Sequence, residues 1–150
     1  MLGKSVSIFL TPPYEGKKAE TARLCGDTLY LSAREAEKRL VCFLRKTARE
    51  IIARETRLTA ARMGAQYASV TINGAKTRWG SCSHDNKLHF SYRLIYAAEE
   101  IVRYVIVHEL AHTFEKNHSA RFWSIVEKYE PHYKEKRAFL KEHAYYMEIF

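Results

Sequence analysis

Aspartate is almost missing from this chain. Asp27 and Asp85 are the only two in 150 residues, so nearly every carboxylate available for chemistry is a glutamate. Cysteine is scarce too: Cys25, Cys42 and Cys82 are widely spaced and form no C-x-x-C pair. That argues against a disulfide framework and against a thiolate-bound zinc, and the three thiols are expected to be reduced. Long apolar runs are absent. Val6 to Leu10 is too short for a signal-peptide core and no stretch reaches membrane-spanning length, so a soluble, cytoplasmic protein without a membrane partner is expected. Repeats, low-complexity tracts and flexible linkers are also lacking, which leaves residues 1–150 as one expected domain, with 1–31 a short β-rich extension. What the chain has in excess is positive charge, 25 Lys+Arg against 17 Asp+Glu, a formal +8. Such an excess permits contact with nucleic acid or another polyanion without requiring it.

Against that background the segment Arg103 to His112 stands out, because it reads Arg-Tyr-Val-Ile-Val-His108-Glu109-Leu-Ala-His112 and is followed five residues later by His118. Residues four apart lie on one helical face, so His108 and His112 can direct both imidazoles at one cation while Glu109 stands one position round. This is the H-E-x-x-H pattern of two zinc ligands and a carboxylate able to take a proton from metal-bound water. Shuffling this composition would give the bare pattern in roughly three chains in a hundred, so the flanks matter. Ile101, Val102, Val105, Ile106, Val107, Leu110 and Phe114 make the segment apolar nearly all round, as in a buried helix.

The rest of the chain reads as strands and helices in an α+β order. Ser5 to Leu10 is a strand, Pro12-Pro13 and Glu15-Gly16 mark a loop, and Cys25-Gly26-Asp27 turns into a strand from Thr28 to Leu31. Ser32 and Glu35 form a capping box for a long helix to about Arg62, stopped by Gly64, with Leu40, Val41, Leu44, Ala48, Ile51, Ile52 and Leu58 on its apolar face. Its other side carries Arg34, Lys38, Arg45 and Arg49 beside Arg39, Lys46 and Arg57, a solvated outer face or a polyanion-binding stripe. Strands Tyr67 to Ile72, Lys76 to Ser83 and Lys87 to Ser91, with turns at Asn73-Gly74 and His84-Asp85-Asn86, predict a three-stranded meander. Past the metal-binding segment, Asn117 is a left-handed stop, Ser119 caps a helix carrying Phe122, Trp123, Ile125 and Val126, and a last helix runs from about His132 toward Met147.

A hydrolytic zinc site has three protein ligands and one open position. His108, His112 and His118 fill the three places for one Zn2+, with Glu109 as proton acceptor and donor in hydrolysis of peptide or other amide bonds. A glutamate from the following helix, Glu127, is the alternative third ligand. Glu115, one turn beyond His112, reads as a supporting or surface residue, and His84, His89, His132 and His143 as surface residues. Arg78, Trp79 and Gly80 either offer a strand edge to an extended peptide substrate or simply pack a tryptophan into the core. A non-catalytic, zinc-stabilised module that binds a polyanion or a protein is the rival function.

Three segments, Thr77-Arg-Trp-Gly-Ser-Cys-Ser83, Tyr104-Val-Ile-Val-His-Glu-Leu-Ala-His112 and Asn117-His-Ser-Ala-Arg-Phe-Trp123, give the sequence a resemblance to the YgjP-like zinc metallopeptidase family, relatives of the SprT-like proteases. It covers roughly residues 20 to 145. The resemblance implies a minimal zincin fold: a long helix, a small sheet of three or four strands, the H-E-x-x-H helix and two C-terminal helices. It also implies His108, His112 and His118 as ligands and Glu109 as the acid/base. SprT-like proteases cut proteins crosslinked to DNA, so the expected partner is a peptide or protein substrate, with nucleic acid a secondary possibility. Ser91-Tyr92 and Ala97-Ala98 depart from the family pattern away from the ligands, and the β-rich front of the chain reads as shorter than usual.

Overall fold

The apolar alternation near the start of the chain is spent on a small sheet that caps one end of the long helix. The computed structural model describes residues 1–11, 22–33 and 35–144. Strands β1 (Ser7–Thr11), β2 (Ala22–Cys25) and β3 (Thr28–Ser32) pair in the order β1-β3-β2. The β2–β3 hairpin turns at Gly26, whose φ of 56° explains the glycine. β1 runs parallel to β3. Leu29 and Leu31 of β3 are buried, whereas Ile8, Phe9 and Leu10 of the edge strand β1 remain exposed. The loop assigned to Pro12-Pro13 and Glu15-Gly16 lies outside the described residues.

Helix α1 (Ala36–Met63) buries Leu40, Leu44, Ala48, Ile52, Thr56, Thr59, Ala60 and Met63, a row advancing by three or four residues that faces the rest of the molecule. Gly64 ends it as expected, with φ 68° and its N–H donated to the carbonyls of Ala60 and Ala61. Two expectations fail here. Ser32 still belongs to β3, and the helix starts after Glu35, which has a left-handed backbone and no capping side-chain bond, so the capping box does not form; the Glu35 carboxylate bonds Lys38 instead. Leu58 is 57% exposed and off the buried row, because the helix turns about 100° per residue and the core contact has moved to Thr56, Thr59 and Ala60 by that point. Lys38, Arg45, Lys46, Arg49 and Arg57 do project to solvent.

A second sheet lies alongside α1, made of β4 (Ser69–Asn73), β5 (Gly80–Cys82) and β6 (Lys87–Ser91). It is not a meander. Its order is β4-β6-β5, with β4 parallel to β6 and only β5 and β6 joined as an antiparallel hairpin. The Asn73-Gly74 pair therefore starts a crossing segment: the Asn73 side chain accepts from the Ala75 N–H, and the Gly74 carbonyl accepts from the buried Arg93 guanidinium. The turn at His84-Asp85-Asn86 is as expected, with Asn86 at φ 58°. Among the described residues there are thus two three-stranded sheets, the N-terminal extension supplying one and the small sheet beside the H-E-x-x-H helix the other.

After β6 a short 3-10 helix (Tyr92–Tyr96), not foreseen in the sequence, buries Tyr92, Leu94 and Ile95 and delivers the chain to α2 (Glu99–Ala111). Its glutamates Glu99 and Glu100 sit in the first turn, where the helix dipole favours them. Then come α3 (Ala120–Tyr129) and α4 (Tyr133–Glu142). Ser119 caps α3 by accepting the Phe122 N–H. The last helix closes at Glu142, short of Met147, which lies outside the described residues. One hydrophobic cluster runs from Leu29 and Leu31 through α1, β6 and α2 to Phe122, Val126 and Tyr133. Within it α2 is buried on nearly all sides, as its composition predicts, except that Phe114, beyond the helix end, is 43% exposed.

Candidate metal centre

His108 and Glu109 lie in the last turn of α2 and His112 is the residue that ends it, still with helical dihedrals. The chain then has to turn back within a few residues to bring His118 round. It does so through backbone bonds from Phe114 and Glu115 to Ala111, and through Lys116, whose ammonium donates to the Ser83 carbonyl at 3.0 Å and to the Asn86 side chain. Lys116 thereby ties the loop to the β5–β6 turn. Asn117 contributes by accepting the Ser119 N–H; its backbone is not left-handed, and so the expected stop at Asn117 is replaced by a side-chain turn.

These turns bring three imidazoles together. Nε2 of His118 lies 3.1 Å from Nε2 of His108, and donor atoms of His108, His112 and His118 all fall within 4.8 Å of one another. Two ligands on a tetrahedral zinc, each about 2.05 Å from the metal, stand about 3.3 Å apart, so the His108–His118 separation fits a shared cation. They are the one group of three or more potential ligands among the described residues. Nδ1 of His112 is 3.1 Å from the Glu115 carbonyl. A carbonyl only accepts, so the proton sits on Nδ1 and Nε2 is free to ligate. Glu115 thus supports the centre through its backbone rather than its carboxylate, and Glu127 is exposed and outside the group.

His108 is held differently. Its Nδ1 is buried with no hydrogen-bond partner, and the ring is fixed by packing against Phe122 at 4.9 Å and Trp123 at 5.8 Å between centroids. Trp123 in turn stacks on His118 and on Tyr133. Burial drives the His108 imidazolium down to about pKa 3, with neighbouring His112, His118 and Arg137 adding to the effect. Burial also lowers His112, opposed by its bond to the Glu115 carbonyl. Both rings are therefore neutral near pH 7, the form that can bind a metal. Burial pushes the Cys82 thiol up, which keeps it from acting as a thiolate donor.

Glu109 is buried, and without a metal its carboxyl is raised to about 8 by that burial, with the Arg78 guanidinium pulling the other way. A divalent cation beside it would reverse that shift. What gives the carboxyl room is Gly80: a Cβ there would stand 2.8 Å from both Cγ and Oε1 of Glu109. Arg78, Trp79 and Gly80, singled out in the sequence, line a cavity of about 280 Å³ that reaches His108 and Glu109. Tyr104 and Arg137 complete it, and neither was anticipated. Tyr104 could have been, because it lies one helical turn before His108 on the same face; Arg137 comes from α4, and no local signal leads to it. His84 and His132 are exposed, while His89 and His143 are half-buried; none joins the three clustered histidines.

A model of the YgjP-like metallopeptidase domain matches residues 1–143. The chain belongs to the YgjP-like metallopeptidase family. This makes it a metal-dependent hydrolase whose substrates are peptides or proteins, and the match takes in the N-terminal strands as well as the three motif segments. Two solved structures share the fold of this YgjP-like chain. The metallopeptidase zymogen abylysin of Pyrococcus abyssi is 24% identical with a TM-score of 0.54, covering 61% of this chain and 93% of its own. The zymogen jannalysin of Methanocaldococcus jannaschii is 20% identical with a TM-score of 0.55, covering 61% and 95%. No curated protein matches the YgjP-like chain in sequence. Among its described residues no helix is long and apolar enough to cross a membrane.

Proposed function

We propose that His108, His112 and His118 hold one zinc ion and that Glu109 moves the proton in hydrolysis of a peptide bond, the whole chain acting as a single zincin-like domain in the cytoplasm. The observation that carries this reading is the 3.1 Å approach of the His108 and His118 Nε2 atoms beside a buried glutamate. Neutral imidazoles with no acidic side chain in the group suit zinc better than calcium or magnesium, which prefer oxygen. A zinc ion held by these three imidazoles would supply Lewis acidity, lowering the pKa of a coordinated water to about 7 and polarising a carbonyl. The Glu109 carboxylate would accept a proton from the attacking water and return it to the leaving amine, its carboxyl confined against Gly80 so that little reorganisation is needed.

The strand beside it supports a peptide substrate. The Trp79 carbonyl and the Ser83 N–H bond to β6, so by the alternation of an antiparallel ladder Gly80 and Cys82 turn their backbone groups to the open edge of β5. An extended peptide can pair there next to Glu109. One continuous hydrophobic cluster favours a single domain, and three free cysteines fit a reducing compartment. The rival reading as a zinc-stabilised binding module draws on the exposed basic residues of α1, but it leaves the buried Glu109 without a use. The test is zinc content and peptidase activity of the wild type, Glu109→Gln and His118→Ala. One zinc and cleavage in the wild type, zinc without cleavage in Glu109→Gln and loss of zinc in His118→Ala are expected. Equal zinc in all three with no cleavage would leave a metal-stabilised binding domain.

A further inference from the structure

The cavity of about 280 Å³ next to Glu109 has a composition that the proposed hydrolysis does not use. Its walls are partly apolar, from Trp79, Val105 and Leu140, yet two guanidinium groups, Arg78 and Arg137, stand at its lining. They reach it from different elements, Arg78 from the segment leading into β5 and Arg137 from α4. Among the described residues neither makes an ion pair, whereas Arg54, Arg103 and Arg121 each lie within ion-pair distance of a glutamate. Arg137 lies over the Trp123 ring, 4.9 Å from its centroid, which restrains the guanidinium without neutralising it. The Arg78 guanidinium acts electrostatically on Glu109, whose carboxyl is turned against Gly80 and is required for the proposed chemistry. Two cations in a partly apolar cleft whose one lining carboxyl is that of Glu109 concentrate positive potential where the substrate must lie.

We infer that this cavity is a subsite for a carboxylate of the substrate peptide, gripped by Arg78 and Arg137 close to the scissile bond. Guanidinium groups bind carboxylates through paired, charge-assisted hydrogen bonds, and the apolar walls accommodate the methylenes that carry the acid. An acidic side chain and a free chain terminus present the same group. The chain's excess of positive charge, +8 overall, adds long-range attraction for acidic peptides.

The inference rests on the peptidase reading, so its test needs a readout that does not depend on turnover. Four peptides of one sequence are compared: internal Glu, internal Gln at the same position, and the Gln peptide shortened to end just beyond that position with either a free or an amidated terminus. Zinc-loaded wild type, Arg78→Gln and Arg137→Gln are assayed for kcat/KM, and binding of each peptide is measured by fluorescence anisotropy on zinc-loaded Glu109→Gln, with and without the arginine changes. The wild type is expected to prefer a carboxylate-bearing peptide over its neutral counterpart by roughly 10-fold, and each arginine change to shrink that preference in both rate and binding. Preference for internal Glu assigns the pocket to a side chain, and preference for the free terminus assigns it to a chain end. Equal rates and equal binding for charged and neutral peptides would overturn the subsite while leaving the peptidase intact. Absence of cleavage together with selective binding of the acidic peptide would sink the catalytic reading and retain the subsite.

Discussion

Gly80 and Glu109 act as a pair at the level of single atoms, and each predicts something about the other. A methyl group on residue 80 would meet the Glu109 carboxyl at 2.8 Å, and that carboxyl, 5% exposed, has little space into which to withdraw. Gly80→Ala is therefore expected to lower kcat/KM by roughly 10- to 100-fold through misplacement of the base. Zinc content should stay unchanged, since the atoms nearest the new methyl all belong to Glu109. Activity assays with metal analysis check this, and an unimpaired Gly80→Ala enzyme would contradict it. Glu109 also leaves a mark on the metal-free protein. Its carboxyl is raised from 4.5 to about 8, so the folded state holds a proton that the unfolded chain releases above about 4.5. Below that value the group costs nothing, and as pH rises toward and past 8 folding must either keep a proton or bury a charge. Thermal melts of the metal-free protein should show Glu109→Gln equal to wild type below pH 4.5 and more stable above pH 8, by at most roughly 5 kcal/mol. The spacing of His108, Glu109 and His112 was legible because one helix carries all three. The Gly80–Glu109 contact was not, because it joins two elements whose separate patterns say nothing about which residues meet.

Among the elements, α1 shows where periodicity succeeds and where it drifts. Leu40, Leu44, Ala48 and Ile52 follow the i, i+4 row and are buried. Leu58, expected on the same apolar face, lies off that row and faces solvent, because the i, i+4 row has by then wound round the helix to Thr56 and Ala60. Urea melts should separate the two: Leu44→Ala is expected to cost about 3 kcal/mol, and Leu58→Ala less than about 0.5 kcal/mol. Equal losses would place Leu58 in the core after all. The second sheet was half legible. The β5–β6 hairpin was marked by His84-Asp85-Asn86, whereas Asn73-Gly74, a strong hairpin signal, begins a crossover to a parallel pairing. Local turn chemistry cannot register that β6 is more useful between two neighbours, where its buried Leu88 and Phe90 are covered on both sides. The Ser32–Glu35 capping signal failed for a similar reason, as pairing with β1 keeps Ser32 in its strand.

For the molecule as a whole, the arrangement sets a buried helix in contact with the long α1, the short α3 and α4, and strand β5 of the second sheet. Its family was readable from three separated motifs, and so were the order of helices and the clustering of His118 with the H-E-x-x-H pair. The N-terminal sheet was foreseen as strands without a role, and it remains packed on α1 away from the three histidines. Tyr104 and Arg137 emerged only when α2 and α4 were brought together. Everything in the functional account depends on one zinc with three histidine ligands and a free fourth position. A crystal structure of the zinc-loaded protein, with anomalous difference maps on both sides of the zinc absorption edge, tests this most directly. One peak is expected, bonded at about 2.0–2.1 Å to nitrogens of His108, His112 and His118, with no fourth protein ligand. A metal closed off by a fourth side chain, or one that leaves His118 unbound, would contradict it.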